Sequence, residues 1–491
     1  MEKHIVETNK GKIRGYLREG MIEYRGIPFA KPPVGKLRFK RAQEMDSWKG
    51  IFDAKEYGDE AIQLDGGVYK GSENCLTLVV QRPLEGDKLP VFVWIHGGGY
   101  NTGGINVPLF DGKAFVKEGI VFVAFQYRLN VLGFYDFTTY PGCEEFESNC
   151  GLSDQIMAMK WIHENIEAFG GDPKRVTIAG ESAGGASVIN MLAIPAVKGM
   201  FQHAIIQSGL PNCVMTHEMA KRNMDLYLEG MGWDENDIPK LLTMDPFEML
   251  KGNEYVAQKH QYHNPGIFLP GPVQDDLMPV RPIDAIRKGS AAGVQIIIGT
   301  NKDEGTMFVH PENTGFPNCK EMIQEMFEKN ELSGVETSIL DYYGSEALGS
   351  YIKFATDYVF LMPSLKVAEA QKNYGDVWFY QFELLTKSGE KTGMGVSHAF
   401  DLPCVFANKD FEFSRFFFEG EAEAVKDSII RDMNTAWVNF TKNGNPDSEN
   451  WPKYSGYNSN IRIFDRETNT EKRDYRKMME LWGDMRFYEG K

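Results

Sequence analysis

Short continuous apolar runs recur along this chain at Leu76 to Val80, Leu89 to Ile95, Gly119 to Phe125, Val176 to Ala179, Ala204 to Gln207, Val294 to Gly299 and Asp376 to Phe382. Strands covered on both faces read this way. Other stretches change period. Ile156, Met159, Ile162, Ile166 and Phe169 fall at helical spacing over Asp154 to Phe169, and Gly170-Gly171-Asp172-Pro173 stops that helix. Val425, Ile429, Met433, Trp437 and Phe440 mark one face of a helix ending at Asn443-Gly444-Asn445-Pro446. Near the start, Gly11 to Tyr16 and Met21 to Gly26 read as a hairpin-like sheet edge. Ile27 to Gly35, broken by Pro28, Pro32 and Pro33, must be extended.

Strands alternating with helices predict an α/β fold, a large and mostly parallel central sheet flanked by helices. Ala220 to Gln261 and Lys320 to Ala370 are largely helical in pattern and sit between strands. They read as insertions over the C-terminal edge of the sheet, with Asp376 to Phe382 the last strong strand. Length alone would suggest roughly three domains. With no repeat, low-complexity stretch or composition break, residues 1–491 read as one domain.

Composition narrows the function classes. Hydrophobic content of 42% and charged content of 25% are those of a globular protein, and a core of this size holds without disulfides. A net charge of −16 argues against a nucleic-acid partner, because phosphate binding needs a basic face. No apolar run approaches the roughly 18 residues of a membrane span, and Met1 to Thr8 lacks the apolar core of a signal peptide. Cys75, Cys143, Cys150, Cys213, Cys319 and Cys404 show no paired or metal-ligand spacing. They read as mostly reduced thiols of a cytoplasmic protein.

The chemistry gathers around Gly180-Glu181-Ser182-Ala183-Gly184. A β-prone run precedes it and a small-residue, helix-compatible run follows, which is the context of a nucleophile elbow. Small neighbours are needed because the turn strains the serine backbone. The helix start aims free N–H groups at the reacting centre. A serine hydroxyl needs a base, a group to orient that base, and donors for the oxyanion. His96-Gly97-Gly98-Gly99 follows an earlier strand and supplies a glycine-lined notch, alongside the N–H of Ala183. Downstream, Asp303 and Glu304 stand just past a strand end, and His398 lies in a glycine-containing loop after the last strand. Both loops belong at the sheet edge where ligands bind in open α/β sheets. His163, His203 and His310 lie inside other elements and read as packing or surface residues.

These motifs, taken together and in order, resemble the type-B carboxylesterase/lipase family of the α/β-hydrolase fold. Tyr24 to Ala30 with Pro32 to Phe39 is similar to its N-terminal signature, and Ser72 to Leu76 to its second, with Asn74 where aspartate is usual. Asn130 to Phe134, Gly151 to Gln155, the elbow, Asn301 to Gly305 and Trp451 to Tyr454 follow in the family's order. The resemblance implies Ser182 as nucleophile, Glu304 rather than Asp303 as the acid, and His398 as base. It also implies Gly98, Gly99 and Ala183 as oxyanion donors, and Arg38 with Glu73 and Arg128 with Asp154 as structural ion pairs. Glu181 matches the family too, as part of the active-site field or as packing beside the elbow. The expected activity is hydrolysis of small to medium carboxylic esters through an acyl-enzyme, with no cofactor or metal. Thioesters, amides or carbamates are alternatives for the same machinery, and a non-catalytic binding or adhesion role is the rival of another class. Phe268 and Met215 are the candidate pocket residues.

Departures from the family pattern shape the expectation further. Ala61 stands at the position of the disulfide partner, so Cys75 is expected to be free. The loop from Ile62 to Asn74 has no tryptophan, and Met215 replaces a pocket tryptophan, which disfavours choline esters. Ala399 replaces the glycine after the catalytic histidine, which leaves the turn there open.

Overall fold

A computed structural model describes residues 4–311, 315–446 and 450–487. Residues 1–3 of the N-terminal stretch read above lie outside them.

The main sheet has eleven strands. In chain order they are β1 (Tyr16–Arg18), β2 (Met21–Pro28), β3 (Thr77–Pro83), β4 (Leu89–Ile95), β5 (Val121–Phe125), β6 (Gly171–Glu181), β7 (His203–Gln207), β8 (Gln295–Asn301), β9 (Val377–Phe382), β10 (Asn458–Phe464) and β11 (Asn469–Asp474). Across the sheet the order is β11-β10-β9-β8-β7-β6-β4-β5-β3-β2-β1. The run from β10 to β5 is parallel throughout. Both flanks are antiparallel.

Alternation along the strands splits the core into two layers. Val91, Val93 and Ile95 of β4 join Ile178, Ile206 and Ile298 on one face. Phe92 and Trp94 join Ala179, Ile205, Ile297 and Trp378 on the other. Helices α1 (Cys150–Asn165) and α2 (Ala183–Ala193) cover the first face. Helix α3 (Glu423–Asn443) covers the second with Ile429, Met433, Trp437 and Phe440, and it stops at Gly444 in the left-handed region.

Several sequence expectations need correction. The stretch Gly11 to Tyr16 does not form one hairpin arm. Lys12–Arg14 joins a separate three-stranded sheet with Ile5–Glu7 and Ile51–Asp53, while Tyr16–Arg18 alone pairs with β2. Gly15 marks the break, because a Cβ there would sit 2.6 Å from the Tyr24 ring. Two further strands, β10 and β11, follow the 376–382 run, which is the last strong one in the apolar pattern. β11 is the edge strand, with four of its six residues exposed, and β10 intersperses Ser459, Asn460 and Arg462 with Ile461 and Ile463, so neither shows a continuous apolar run. Helix α1 starts at Cys150 and tightens to a 3-10 turn at Ile166–Phe169. The helix Met362–Gln371 packs on the sheet face through Leu365, Val367 and Ala368 rather than over its edge.

Candidate active site

The parallel strands β4, β6, β7, β8 and β9 all end at one rim, and each delivers a piece of the site there. The elbow follows β6. Ser182 takes φ 58° and ψ −124°, a strained conformation that lifts it out of the strand just before α2 begins. Its N–H donates to the Gln207 carbonyl of β7 (2.9 Å). The close packing of the turn dictates its glycines. A Cβ on Gly180 would lie 2.4 Å from the Gly184 carbonyl carbon, and one on Gly184 would lie 2.1 Å from the Ile95 carbonyl oxygen.

Glu304 follows β8 and is fully buried. Its Oε2 lies 2.5 Å from His398 Nδ1. Its Oε1 accepts from Ser208 Oγ (2.5 Å) and from the Asn301 N–H (2.7 Å). A carboxylate held by two donors can only accept, so Nδ1 carries a hydrogen, and when the ring is neutral Nε2 is the acceptor. Asp303, the neighbouring carboxylate, turns the other way. Its Oδ2 accepts the Val396 N–H (2.8 Å) and its own N–H donates to the Val396 carbonyl (3.0 Å). Asn301 Nδ2 donates to the Ser397 carbonyl (2.8 Å) and Thr306 Oγ1 donates to Ser397 Oγ (2.9 Å). The loop carrying His398 is thus laced to the end of β8. Ala399 adopts φ 66°. The turn after the histidine is thus left-handed although no glycine stands there, at a strain of about 1–2 kcal/mol.

His398 Nε2 faces the elbow. It is buried and has no hydrogen bond among the described residues. Oε1 of Glu181, the residue before Ser182, lies 3.0 Å from it but off the N–H axis. Burial pulls the imidazole toward its neutral form, but the two carboxylates outweigh it and raise its pKa to about 10. Behind Glu181 stands Asp401, fully buried, accepting from Gln207 Nε2 (2.8 Å) and Tyr380 OH (3.0 Å). Burial and then Glu181 push its pKa up to about 7.

The glycine loop follows β4. Gly98 (φ 109°) and Gly99 (φ 61°) both need conformations that favour glycine. The N–H groups of Gly98, Gly99 and Ala183 donate to no group among the described residues. His96 is not available for chemistry. Its ring stacks on Tyr127 (4.3 Å), Nδ1 bonds to the Gly97 carbonyl (2.8 Å), and burial lowers its pKa to about 4.

Aromatic rings wall the rim. Phe268 lies against Gly99, 3.7 Å from where a Cβ would stand. Phe316 stacks on it (6.2 Å), Phe308 meets Phe316 edge-on (5.7 Å), and Phe308 and Phe360 flank the His398 ring at 5.1 and 4.8 Å. Met215 is buried in a small apolar gap with Phe134, Tyr135, Leu269 and Pro270, and its Sδ accepts from Asn223 Nδ2 (3.3 Å).

Sequence reading did not find Ser208, Thr356, Phe360 or Asp401. Ser208 had a usable signal, a polar residue directly past a strand end. Thr356 and Phe360 had none, since they lie in a π-helical segment, Thr356–Leu361, inside a helical run. There Thr356 Oγ1 accepts the N–H of Gly305, next to Glu304 (2.9 Å). The implied ion pairs are present: Arg38 bonds Glu73 twice (2.7 and 2.6 Å) and Arg128 bonds Asp154 (2.8 and 2.7 Å). Cys75 is free and buried.

The carboxylesterase family model matches residues 2–482. The chain is 35% identical over 484 residues to the para-nitrobenzyl esterase of Bacillus subtilis (strain 168), covering 96% of each. It is 32% identical over 511 residues to a cholinesterase of Mus musculus, covering 92% of this chain and 82% of that one. A solved PNB esterase superposes with a TM-score of 0.87 at 34% identity, covering 98% of this chain and 100% of the other. A carboxylesterase of Geobacillus stearothermophilus superposes with a TM-score of 0.83 at 30% identity, over 98% of this chain and 100% of that one.

Proposed function

This chain belongs to the carboxylesterase family and is a carboxylic ester hydrolase, and we propose that it turns over its esters through an acyl-enzyme formed on Ser182. His398 Nε2 takes the Ser182 hydroxyl proton as Oγ attacks the ester carbonyl carbon. The carbonyl oxygen gains the negative charge and is held by the N–H groups of Gly98, Gly99 and Ala183. His398 then hands its proton to the leaving alcohol as the carbon–oxygen bond breaks. Water repeats the sequence on the acyl-enzyme and releases the acid. Glu304 holds the tautomer with Nε2 as acceptor and stabilises the imidazolium.

One observation carries this reading: His398 is bound at Nδ1 by a buried carboxylate (2.5 Å), while Nε2 makes no hydrogen bond among the described residues and lies beside the elbow, 3.0 Å from Oε1 of Glu181, the residue before Ser182. The phenylalanines from Gly99 to His398 support small to medium esters with an apolar or aromatic group as substrates. Choline esters fit poorly. The one aromatic of the 62–74 loop, Tyr69, donates its hydroxyl to Glu254 (2.6 Å), and its ring faces Phe247.

Replacing Ser182 by alanine is expected to cut turnover of a short p-nitrophenyl ester by at least about 10⁴-fold and to abolish covalent labelling by a fluorophosphonate. Wild-type turnover by Ser182→Ala would end the proposal.

A further inference from the structure

The residue after the glycine notch is Tyr100, which is fully buried and holds φ 57°. Its hydroxyl lies 3.1 Å from Ser187 Oγ, in the second turn of α2. Ser187 Oγ also donates to the carbonyl of Ala183 (2.9 Å) and accepts from Gln155 Nε2 of α1 (2.9 Å). A serine hydroxyl has one proton and two acceptor positions. Its proton goes to Ala183, so both acceptor positions are filled, by Gln155 and by Tyr100, and the tyrosine must be the donor. The cluster is buried at every member.

From this geometry we infer that Tyr100 is a positioning residue, tethering the Gly98–Gly99 side of the oxyanion site to the Ala183 side through Ser187. The inference rests on the assignment of those three N–H groups as oxyanion donors. The glycine loop runs through successive left-handed glycines, Gly98 is exposed, and the Gly98 carbonyl accepts the N–H groups of Asn101 and Thr102 (3.0 Å each). One end is held by β4. Gly103, further on, is held by Gln63, which donates to its carbonyl (2.9 Å) and accepts its N–H (2.8 Å). Between them, the Tyr100 hydroxyl and the Asn130 N–H bonded to the Tyr100 carbonyl (2.7 Å) fix the residue adjacent to the donors. Ser187 locks the Ala183 carbonyl in turn, so a single hydroxyl pair connects the two halves. Donors displaced by a fraction of an ångström stay bound to the protein yet serve a tetrahedral oxyanion poorly.

Tyr100→Phe removes the hydroxyl and keeps the ring, which packs on Phe134 (4.2 Å) and edge-on to Tyr127 (6.4 Å). The variant is expected to lose roughly tenfold in kcat with KM within about twofold. Affinity for a trifluoromethyl ketone, whose serine adduct carries an oxyanion, should fall by the same factor as kcat/KM. Ser187→Ala should do likewise, and the double variant should be no worse than the worse single one. Rates are taken per active site titrated to completion with fluorophosphonate, so partial folding does not mimic the effect. Unchanged kcat and ketone affinity in both single variants, or losses that simply add, would overturn the inference even if the unfolding temperature drops. A Ser182→Ala control that kept full turnover would instead sink the acyl-enzyme reading itself.

Discussion

At the scale of single residues, His398 is set between opposing forces. Burial disfavours its charged form, while Glu181 and Glu304 favour it, and the balance raises the pKa to about 10 from about 6.5 in an unfolded chain. A raised value means that protonated His398 adds stability below about pH 6.5, and that this contribution fades as pH rises through about 10. The proposed acyl transfer has the opposite need, because only neutral imidazole can take the serine proton. The rising limb of kcat/KM against pH is therefore expected above the ordinary imidazole range. Glu181→Gln keeps the side-chain size and removes one of the two charges, so it should move that limb to lower pH by about one unit or more. A limb near pH 6.5 in both proteins would show that Glu181 does not act on His398.

At the scale of elements, the site depends on two loops that come from different strands. The turn after β8 holds Glu304 toward the histidine, and Asp303 holds the histidine loop toward β8. The pairing leaves no room at Gly395, where a Cβ would lie 2.5 Å from Asp303 Oδ2. Asp303→Ala should loosen the loop without touching a reacting atom. The expected result is a fall in kcat of about tenfold to a hundredfold and a drop in unfolding temperature of a few degrees, read by steady-state kinetics and calorimetry. An unchanged kcat would mean that the loop holds its shape without this carboxylate. Position past a strand end did not separate Asp303 from Glu304, and only the family resemblance did. Their division of labour depends on which way each side chain leaves the turn.

At the scale of the whole molecule, a parallel sheet with both faces covered provides the core without covalent staples. Six cysteines are free, and Cys75 is buried in the larger hydrophobic cluster. A native disulfide typically contributes about 2–5 kcal/mol. The unfolding temperature is accordingly expected to be the same with and without dithiothreitol in a calorimetric scan. A reductant-dependent drop of several degrees would reveal a disulfide in the working protein.

Glu304 and His398 became candidates with the help of the family resemblance, whereas the amino-acid order by itself determined the central strands and the tight turn at Ser182. Those features rest on local physics: doubly buried strands are continuously apolar, and a strained turn tolerates only small neighbours. It did not determine the outer strands β10 and β11, whose polar residues interrupt the apolar pattern. Nor did it determine the fate of the 11–16 stretch, which two different sheets divide between them. Tertiary structure alone decided that Ser208 and Thr356 support the Glu304 turn, that Phe308 and Phe360 enclose His398, and that Glu181 and Asp401 share one buried pocket of charge. Each of those relations joins residues far apart in the chain, and side-chain direction at the end of a strand is set by what packs against it.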